Sequence, residues 1–277
     1  MKTMAYRLYL RLRAIKYTES ELDTQLQKRG HSLDKQIQAE DFSFSNYVYE
    51  VDILLRRAIN KNYSNKELYK WVDKLLFNWR YREKNREEAI KQPESKSNAY
   101  EIIAKRRRSI RSWNKTRIKI EEVAECLEIA KWAPSSCNRQ LSRVMILQGK
   151  EDIMFVSDLF FKQPFANNAP IALLVLVEDL YGSDEKHFAY LDSAAFTQNL
   201  LLALDSKGLG SCWLGIKKPD DINQKIDTLR KKFKLSSTFC PISLVLIGAY
   251  DTNPNAPPRK SIDQIIINIS KTGESKK

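Results

Sequence analysis

The chain has little of the side-chain chemistry from which most cofactor-free active sites are built. Among its 277 residues are only two histidines, His31 and His187, and neither stands in a pattern typical of a catalytic triad. Four cysteines are scattered without a Cys-x-x-Cys pair, which argues against a zinc site and predicts free thiols. We therefore expect no metal and no catalytic side chain, a composition typical of enzymes whose cofactor performs the difficult step.

Glycine is also scarce, at eight residues, and none forms a Gly-x-x-x-x-Gly-Lys phosphate loop or a Gly-x-Gly-x-x-Gly fingerprint. A Rossmann domain is therefore not expected. Long apolar runs are missing too, because the longest candidate, residues 171–177, is far shorter than the roughly 20 residues that cross a bilayer. The N-terminus has no continuous apolar segment, so we expect no signal peptide and a cytoplasmic location.

Positive charge is present in excess, and it is unevenly distributed. Residues 1–120 hold 28 Lys and Arg against 15 Asp and Glu, whereas residues 121–277 hold 19 of each, so the whole net charge of +13 lies in the first part. A basic surface attracts polyanions or anionic membranes, but no RNA-binding or zinc-finger pattern accompanies it. We therefore do not expect nucleic-acid binding.

The first 98 residues are predicted to form a separate helical extension whose role the sequence does not indicate. An apolar stripe recurs at three- and four-residue steps from Leu68 to Trp79, with Asn65 as its N-cap, and residues 51–59 are a second helix. Residues 6–16 fit a helix or a strand equally well. The stripe requires an apolar partner, which we expect to be the rest of the protein or a second subunit. Residues 84–98 lose the apolar period and are predicted to be a linker or the polar end of a helix, and the boundary between the two parts is placed there.

The remainder, residues 99–277, alternates between helical and strand patterns. Residues 187–207 are apolar on several sides, as in a central helix, and Gly208 is a suitable C-terminal cap. The other predicted helices and strands are helices at 99–108, 121–132 and 220–232, and strands at 144–147, 171–177, 211–214 and 242–247.

Four short motifs in this second part carry groups that suit a phosphorylated, planar cofactor. The first is Arg-Arg-Ser-Ile-Arg at 107–111, whose guanidiniums and hydroxyl fit a phosphate. The second is the turn Ala-Pro-Ser-Ser-Cys-Asn-Arg-Gln at 133–140. The third is Gly-Leu-Gly-Ser-Cys-Trp-Leu-Gly at 208–215, where backbone approaches closely, and the fourth is Pro-Pro-Arg-Lys at 257–260.

In order and spacing these motifs resemble the nitroreductase family of FMN-dependent oxidoreductases, over residues 99–269. The resemblance implies an α+β fold of three layers, with a central, mainly antiparallel sheet flanked by helices. It also implies that a backbone N–H near Leu214 or Gly215 faces N5 of the flavin. The residues that it assigns to FMN are Arg107, Arg108, Ser109, Arg111, Pro134, Ser135, Ser136, Asn138, Leu214, Gly215, Arg259 and Lys260.

The chain departs from the family pattern at two of these motifs. The family commonly has Pro after the glutamine of the second motif, where this chain has Leu141, so the role of Gln140 is left open. Some members carry a second basic residue two positions before the arginine of the fourth motif, where this chain has Pro257. Lys260 either replaces that residue or has no contact with the cofactor.

The activity that the resemblance implies is a two-step reaction in a homodimer with FMN at the subunit interface. NADH or NADPH reduces FMN, and the reduced flavin passes electrons to a small organic acceptor such as a nitro compound or a quinone. The tail at 262–269 would then pack on a second subunit, and residues 155–168 would lie in loops that select the substrate. The alternatives are a specialised relative, such as a reductive dehalogenase or a biosynthetic dehydrogenase, and a flavin-binding protein whose basic N-terminal section docks a partner.

Overall fold

The computed structural model describes residues 2–38, 46–81, 99–178, 186–216, 221–256 and 258–266. The predicted linker at 84–98 lies outside the described residues. The elements are α1 (Lys2–Ile15), α2 (Glu19–Gln38), α3 (Asn46–Asn60), α4 (Lys66–Tyr81), α5 (Ala99–Arg106), α6 (Ile120–Ala130), β1 (Ser142–Leu147), α7 (Lys150–Phe160), β2 (Ile171–Glu178), α8 (Lys186–Ser206), β3 (Gly210–Gly215), α9 (Ile222–Phe233), β4 (Phe239–Gly248) and α10 (Ile262–Ile265).

Helices α1 to α4 form an N-terminal bundle with a core of its own. The predicted cap of α4 is present, since Asn65 Oδ1 accepts the N–H of Leu68 at 3.3 Å. The apolar stripe of α4 is buried against α2 and α3, and Trp71 and Trp79 pack on the same cluster. The expectation that this stripe packs on the rest of the protein was therefore wrong, because neighbouring helices of the bundle supply the apolar surface.

The bundle also resolves what periodicity left open. Residues 6–15 belong to helix α1 and Lys16 follows its end. A short amphipathic segment fits both the helical and the strand period, so the packing partner decides between them. Helix α2 was not predicted, since its many Gln, Lys and Asp residues dilute the apolar stripe of Leu22, Leu26 and Leu33. Those three leucines are nevertheless completely buried.

The second part of the chain is built on a four-stranded sheet with the strand order β1-β2-β4-β3, in which all three neighbouring pairs are antiparallel. Strand β2 is buried on both faces, as its uninterrupted apolar sequence predicted. Its alternate residues enter two different cores. Leu173 and Val175 pack with α6 and α8, whereas Leu174 and Leu176 pack with α7 and α9. The sheet is therefore the middle of three layers.

Helix α8 is the long element of one outer layer, and it positions the candidate site at both of its ends. It ends as predicted, because Gly208 follows it with φ of +74°, a conformation in which glycine is favoured. One other expectation changes, because residues 155–168 are the end of α7 and a 3-10 turn, Pro164–Asn168, rather than open loops. Ile262 and Ile265 of α10 are exposed in the single chain, so packing of this tail on a second subunit stays a prediction.

Candidate cofactor site

The arginine motif runs along the outer edge of strand β3. Ser109 forms a parallel bridge with Ser211, and the N–H of Ile110 donates to Ser211 O at 2.9 Å. Arg106, the residue before the motif, anchors the segment through a two-pronged ion pair, with Nε and Nη2 at 3.0 and 2.7 Å from Asp205 Oδ2 near the end of α8. The motif is therefore held against both β3 and α8.

The three arginines of the motif itself retain unneutralised charge. Arg108 folds back to donate to the carbonyl oxygens of Lys105 and Arg107, and Arg111 donates to Ser109 O at 3.3 Å. Within the described part of the chain, none of Arg107, Arg108 and Arg111 forms an ion pair with a carboxylate. Arg108 Nε is buried and has no hydrogen-bond partner among the described residues. Guanidiniums in this state are suited to binding an anion such as a phosphate.

These guanidiniums are close enough to influence strand β3. Burial raises the pKa of Cys212 above its ordinary value, and the positive charges of Arg111 and Arg107 act in the opposite direction. Arg111 also lies over the ring of Phe165, with its guanidinium carbon 5.8 Å from the ring centroid. The thiol of Cys212 is thus kept neutral in the core, and the positive charge remains at the edge of the strand.

The end of β3 offers a backbone donor on that same edge. Ile216 donates its N–H to Ile242 O of β4 at 3.1 Å. Because bonded and non-bonded pairs alternate along an antiparallel ladder, Leu214 is bonded to Leu244, whereas the pair of Gly215 and Ser243 is not. The N–H of Gly215 therefore points away from β4, and the N–H of Leu214 is already used in the sheet.

Gly215 also has open space around it. A Cβ placed there would meet no atom within 4 Å in the described part of the chain, its two chain neighbours apart. Strands rise about 3.3 Å per residue, so Gly215 lies about 13 Å along β3 from Ser211, where the arginine motif pairs. In the part of the chain that the structure describes, the edge of β3 thus presents unneutralised guanidiniums at one end and a backbone donor without a partner at the other.

A cleft adjoins this end of β3, and Ile216 is one of its lining residues. It has a volume of about 390 Å³ and lies between β4 and helices α8 and α9. Most of its lining is aliphatic, including Val177, Ile226 and Ile242, while Tyr190 and Asn223 supply polar groups. Such a lining favours a mostly apolar molecule that carries a few hydrogen-bonding groups.

The serine–asparagine turn is organised around one buried carboxylate. Asp192, in the first half of α8, accepts hydrogen bonds from Ser135 Oγ, Ser136 Oγ and the N–H of Ser136, each at 2.9 Å. Ser135 Oγ in turn accepts the N–H of Gln140 at 2.9 Å. The two hydroxyls that the family resemblance assigned to the flavin therefore shape the turn from within.

The turn has an unusual backbone for a segment without glycine. Cys137, Asn138 and Gln140 have φ of 53°, 51° and 52°, in the left-handed region that costs non-glycine residues energy. Asn138 Oδ1 accepts Gln140 Nε2 at 2.9 Å, which leaves the Nδ2 group as the donor of the Asn138 amide. Strain of this kind persists only where surrounding contacts fix the backbone, as those of Asp192 do here.

Within a single chain, the serine–asparagine turn and the arginine motif lie far apart. Asp192 holds the turn and Asp205 holds Arg106, and the two carboxylates are 13 residues apart on α8. At 1.5 Å per residue they lie about 20 Å apart along the helix axis. The turn and the motif thus occupy opposite ends of α8.

The segment that leads into the fourth motif begins beside the first motif. Asn253, four residues before the fourth motif, donates its Nδ2 to Arg106 O at 2.9 Å, which places the start of this segment at the same end of α8. Arg259 and Lys260 are both exposed. A contact between either side chain and a phosphate therefore stays a prediction.

Sequence reasoning missed the carboxylates that position the site. Asp192 and Asp205 are 8% and 4% exposed and belong to a helix that is otherwise mostly apolar. Aspartates buried on such a helix need partners, so their presence was a readable signal. Glu178 at the end of β2 was missed as well. It follows a buried strand and accepts Arg143 Nη2 at 2.7 Å.

Comparison with known proteins agrees with the architecture. The model of the nitroreductase family matches residues 104–159 and 153–248, which together are about half of the chain, and the chain belongs to this family. The N-terminal bundle lies outside the matched residues.

Individual relatives are distant. A protein of Methanothermobacter thermautotrophicus, named as a candidate NADH dehydrogenase/NAD(P)H nitroreductase, is 27% identical over 162 residues, which are 58% of this chain and 81% of that protein. The FMN reductase [NAD(P)H] of Bacillus subtilis is 27% identical over 148 residues, or 47% and 59% of the two chains. The FMN-dependent nitroreductase structure from Clostridium difficile R20291 has a TM-score of 0.52 at 22% identity and covers 61% and 98%, which shows a shared fold.

In the described residues, no helix is long and apolar enough to cross a membrane. The same residues contain no group of His, Cys, Asp or Glu side chains that could hold a metal ion.

Proposed function

We propose that this protein is an FMN-dependent oxidoreductase that takes electrons from NADH or NADPH and delivers them to a small organic acceptor. Family membership supports the reaction class, and the names of the relatives cite FMN and NAD(P)H. The observation that carries the proposal is the edge of β3, where the motif with the unneutralised guanidiniums pairs at Ser211 and the outward-facing N–H of Gly215 lies about 13 Å further along the strand. Bound FMN would supply hydride transfer between the nicotinamide and the acceptor.

The residues of the chain fit the two ends of this cofactor. Arg107, Arg108 and Arg111 would hold the phosphate, with Ser109 as a further donor, because none of the three arginines has a carboxylate partner in the described residues. The N–H of Gly215 would face the flavin ring and stabilise negative charge that develops there on reduction. The cleft beside Ile216 would receive the apolar acceptor.

We also propose that the active form is a homodimer in which both chains build each site. The turn around Asn138 lies about 20 Å along α8 from the arginine motif, so the turn of a second chain is the simplest source of an amide at the first chain's site. Large apolar side chains are exposed on α5, on α6 and the turn that follows it, and on α10, and a partner would cover them: Tyr100, Ile102, Ile129, Trp132, Ile262 and Ile265.

The first test is the flavin itself. Purified protein, reconstituted with FMN, should show a flavin absorption spectrum that NADH or NADPH bleaches under anaerobic conditions, and the released flavin should have the mass of FMN. Release of FAD, or the absence of flavin affinity, would contradict the proposal. FMN that neither nicotinamide reduces would favour a flavin-binding partner protein instead.

The arginine motif gives a sharper test. Arg107→Ala should weaken FMN binding about 10- to 150-fold, because a hydrogen bond to a charged group contributes about 1.5–3 kcal/mol. The matched control is Arg56→Ala on α3, which removes the same side chain from an ion pair with Asp52 in the bundle. Equal FMN affinity in the two variants, measured by quenching of flavin fluorescence, would place the phosphate elsewhere.

Sharing of the site between chains can be tested by mixing variants. Arg107→Ala and Asn138→Ala each damage every site of a homodimer. In a heterodimer of the two variants, a shared site leaves one of the two sites with both residues intact. Coexpressed, separately tagged chains should therefore recover flavin in the mixed dimer, and no recovery would contradict a shared site.

A further inference from the structure

The N-terminal bundle touches the candidate cofactor site through helix α2, at the turn around Ser136–Asn138. Ser20, in the first turn of α2, donates its hydroxyl to Glu178 Oε2 at 2.9 Å. The same carboxylate oxygen accepts Arg143 Nη2 at 2.7 Å, and Arg143 Nη1 donates to Gln140 O at 2.7 Å. A single arginine thus links the carboxylate that the bundle contacts to the backbone of the turn.

The chain of hydrogen bonds continues through the turn to α8. The N–H of Gln140 donates to Ser135 Oγ, and Ser135 Oγ donates to Asp192, both at 2.9 Å. Every link between Ser20 and Asp192 is therefore a hydrogen bond or an ion pair, except the covalent step through Gln140. The first of these bonds joins Ser20 and Glu178, which are 158 residues apart in the sequence.

Glu178 is the residue at which this route is most sensitive. It is 9% exposed, and a carboxylate so deeply buried needs hydrogen-bonding partners to offset its lost hydration. Ser20 is one partner and Arg143 is the other. Removing the hydroxyl of Ser20 leaves Arg143 as the remaining side-chain donor to this carboxylate among the described residues, and the arginine is also the group that holds the carbonyl of Gln140 in place.

The strained backbone of the turn explains why such support matters. Three non-glycine residues with φ near +50° are retained only where outside contacts fix them. A polar cavity of about 430 Å³ borders the contact and is lined by residues of both regions, including Asp23, Asn65, Gln140 and Arg143. Water can enter there, so the link is weaker than apolar packing and depends on its specific hydrogen bonds.

We propose that the N-terminal bundle is a built-in support of the cofactor site, with Ser20, Glu178 and Arg143 as positioning residues that fix the turn carrying Asn138. Its effect on FMN binding rests on the function proposed above, whereas its effect on the turn does not. The bundle then acts on the site through α2, and its own apolar core remains separate.

The experiment uses Cys137, which is half-buried inside the turn, as a reporter that needs no flavin. Cys126 and Cys212 are buried, so in a Cys240→Ser background Cys137 is the accessible thiol. Ser20→Ala and Glu178→Gln should each increase the rate at which iodoacetamide modifies Cys137 by about 3- to 10-fold, since opening of the turn exposes the thiol. Peptide mass spectrometry verifies the modified site.

Two further variants separate positioning from general destabilisation. Ser32→Ala removes another hydroxyl of α2, whose bond among the described residues is to Lys28 O within the helix, and should leave the rate unchanged. Ser20→Thr restores the donor and should return the rate to that of the parent protein. Melting followed by circular dichroism should change little in all four variants.

FMN affinity is measured on the same set in parallel. Ser20→Ala and Glu178→Gln should weaken it about 3- to 10-fold, and Ser32→Ala should not. Altered Cys137 rates in a protein that binds no FMN would refute the proposed function and leave the support of the turn standing. Unaltered Cys137 rates in both Ser20→Ala and Glu178→Gln would overturn the inference, whatever the flavin affinity.

Discussion

The N-terminal bundle and the arginine motif of the sheet region differ in how their arginines are neutralised. In the bundle, three arginines have carboxylate partners: Arg29 pairs with Glu50 at 2.6 Å, and Arg56 and Arg80 both reach Asp52. In the sheet region, Arg106 has a carboxylate partner, while the three arginines that follow it have none in the described residues. Net charge alone therefore does not locate a binding site, and unneutralised charge held at a fixed edge does.

The two regions differ equally in how they are packed. The core of the bundle contains only residues of the bundle, from Ala14 to Leu76. The sheet region has two cores, one on each face of the same strands, and the second half of α8 contributes Leu200, Leu201, Ala203 and Leu204 to one of them. The bundle therefore resembles an independently folding unit that meets the rest of the chain through polar contacts such as that of Ser20 with Glu178.

The largest expected effect tests whether the core of the bundle and the core around α8 unfold separately. Leu75 and Leu200 are both completely buried, and replacing either with Ala should cost about 2–5 kcal/mol. Leu75→Ala should lower the melting transition of the bundle and leave that of the sheet region in place, and Leu200→Ala should do the reverse. Thermal unfolding followed by circular dichroism, with the release of flavin recorded alongside, distinguishes them. One shared transition that moves equally in both variants would show a single cooperative unit.

A smaller effect compares two glycines that each face a tryptophan. A Cβ at Gly248 would lie 2.2 Å from Trp113 Cδ1 and 2.9 Å from its Cβ, so the side chain cannot swing clear without moving backbone. Gly248→Ala should cost about 1–3 kcal/mol.

The companion substitution, Gly30→Ala, should be close to neutral. Its Cβ would meet the outer ring atoms of Trp71 at 2.7 and 3.0 Å, and this half-buried ring can shift. Alanine also favours the helix by about 1 kcal/mol over glycine, which offsets the contact. Urea unfolding of both variants measures the pair, and an equal loss would mean that Trp71 is held as rigidly as Trp113.

The smallest expected effect concerns acid in the bundle. Burial raises the pKa of Asp23 above its ordinary value, although hydrogen bonds from Asn65 and Tyr69 lower it, and the nearby charge of Glu19 adds to the increase. A carboxyl whose folded pKa is raised binds its proton more tightly in the folded protein. Its burial therefore costs stability at neutral pH, and that cost disappears as the pH falls through the raised pKa.

Asp23→Asn removes this titration. The stability of the parent protein relative to the variant should therefore increase as the pH falls from 7 to 4, by less than about 1 kcal/mol because water in the adjoining cavity screens the charge. Melting temperatures of both proteins across this range provide the measurement. A difference that is constant with pH would show that Asp23 titrates alike in the folded and unfolded chains.

Much of the fold could be predicted from the sequence, because a long apolar pattern fits only one type of secondary structure. Helix α4, strand β2 and helix α8 all lie where the sequence predicted them, since each buries a pattern that no other element would bury as well. Helix α2 was missed because its stripe is thin, and the burial of the α4 stripe within the bundle depended on that missed helix. An error in one element therefore became an error in its partner.

The candidate site also has features that the sequence predicted and features that it did not. By itself the sequence determined the family, the order of the four motifs and the residue types that suit a phosphate, because these are properties of chemistry and spacing along the chain. Only the tertiary structure decided which groups are available: the ladder of β3 leaves the N–H of Gly215 free, and Asp192 occupies Ser135 and Ser136. Hydrogen bonds are made between elements distant in sequence, so which donors remain for a ligand becomes fixed only when the chain folds.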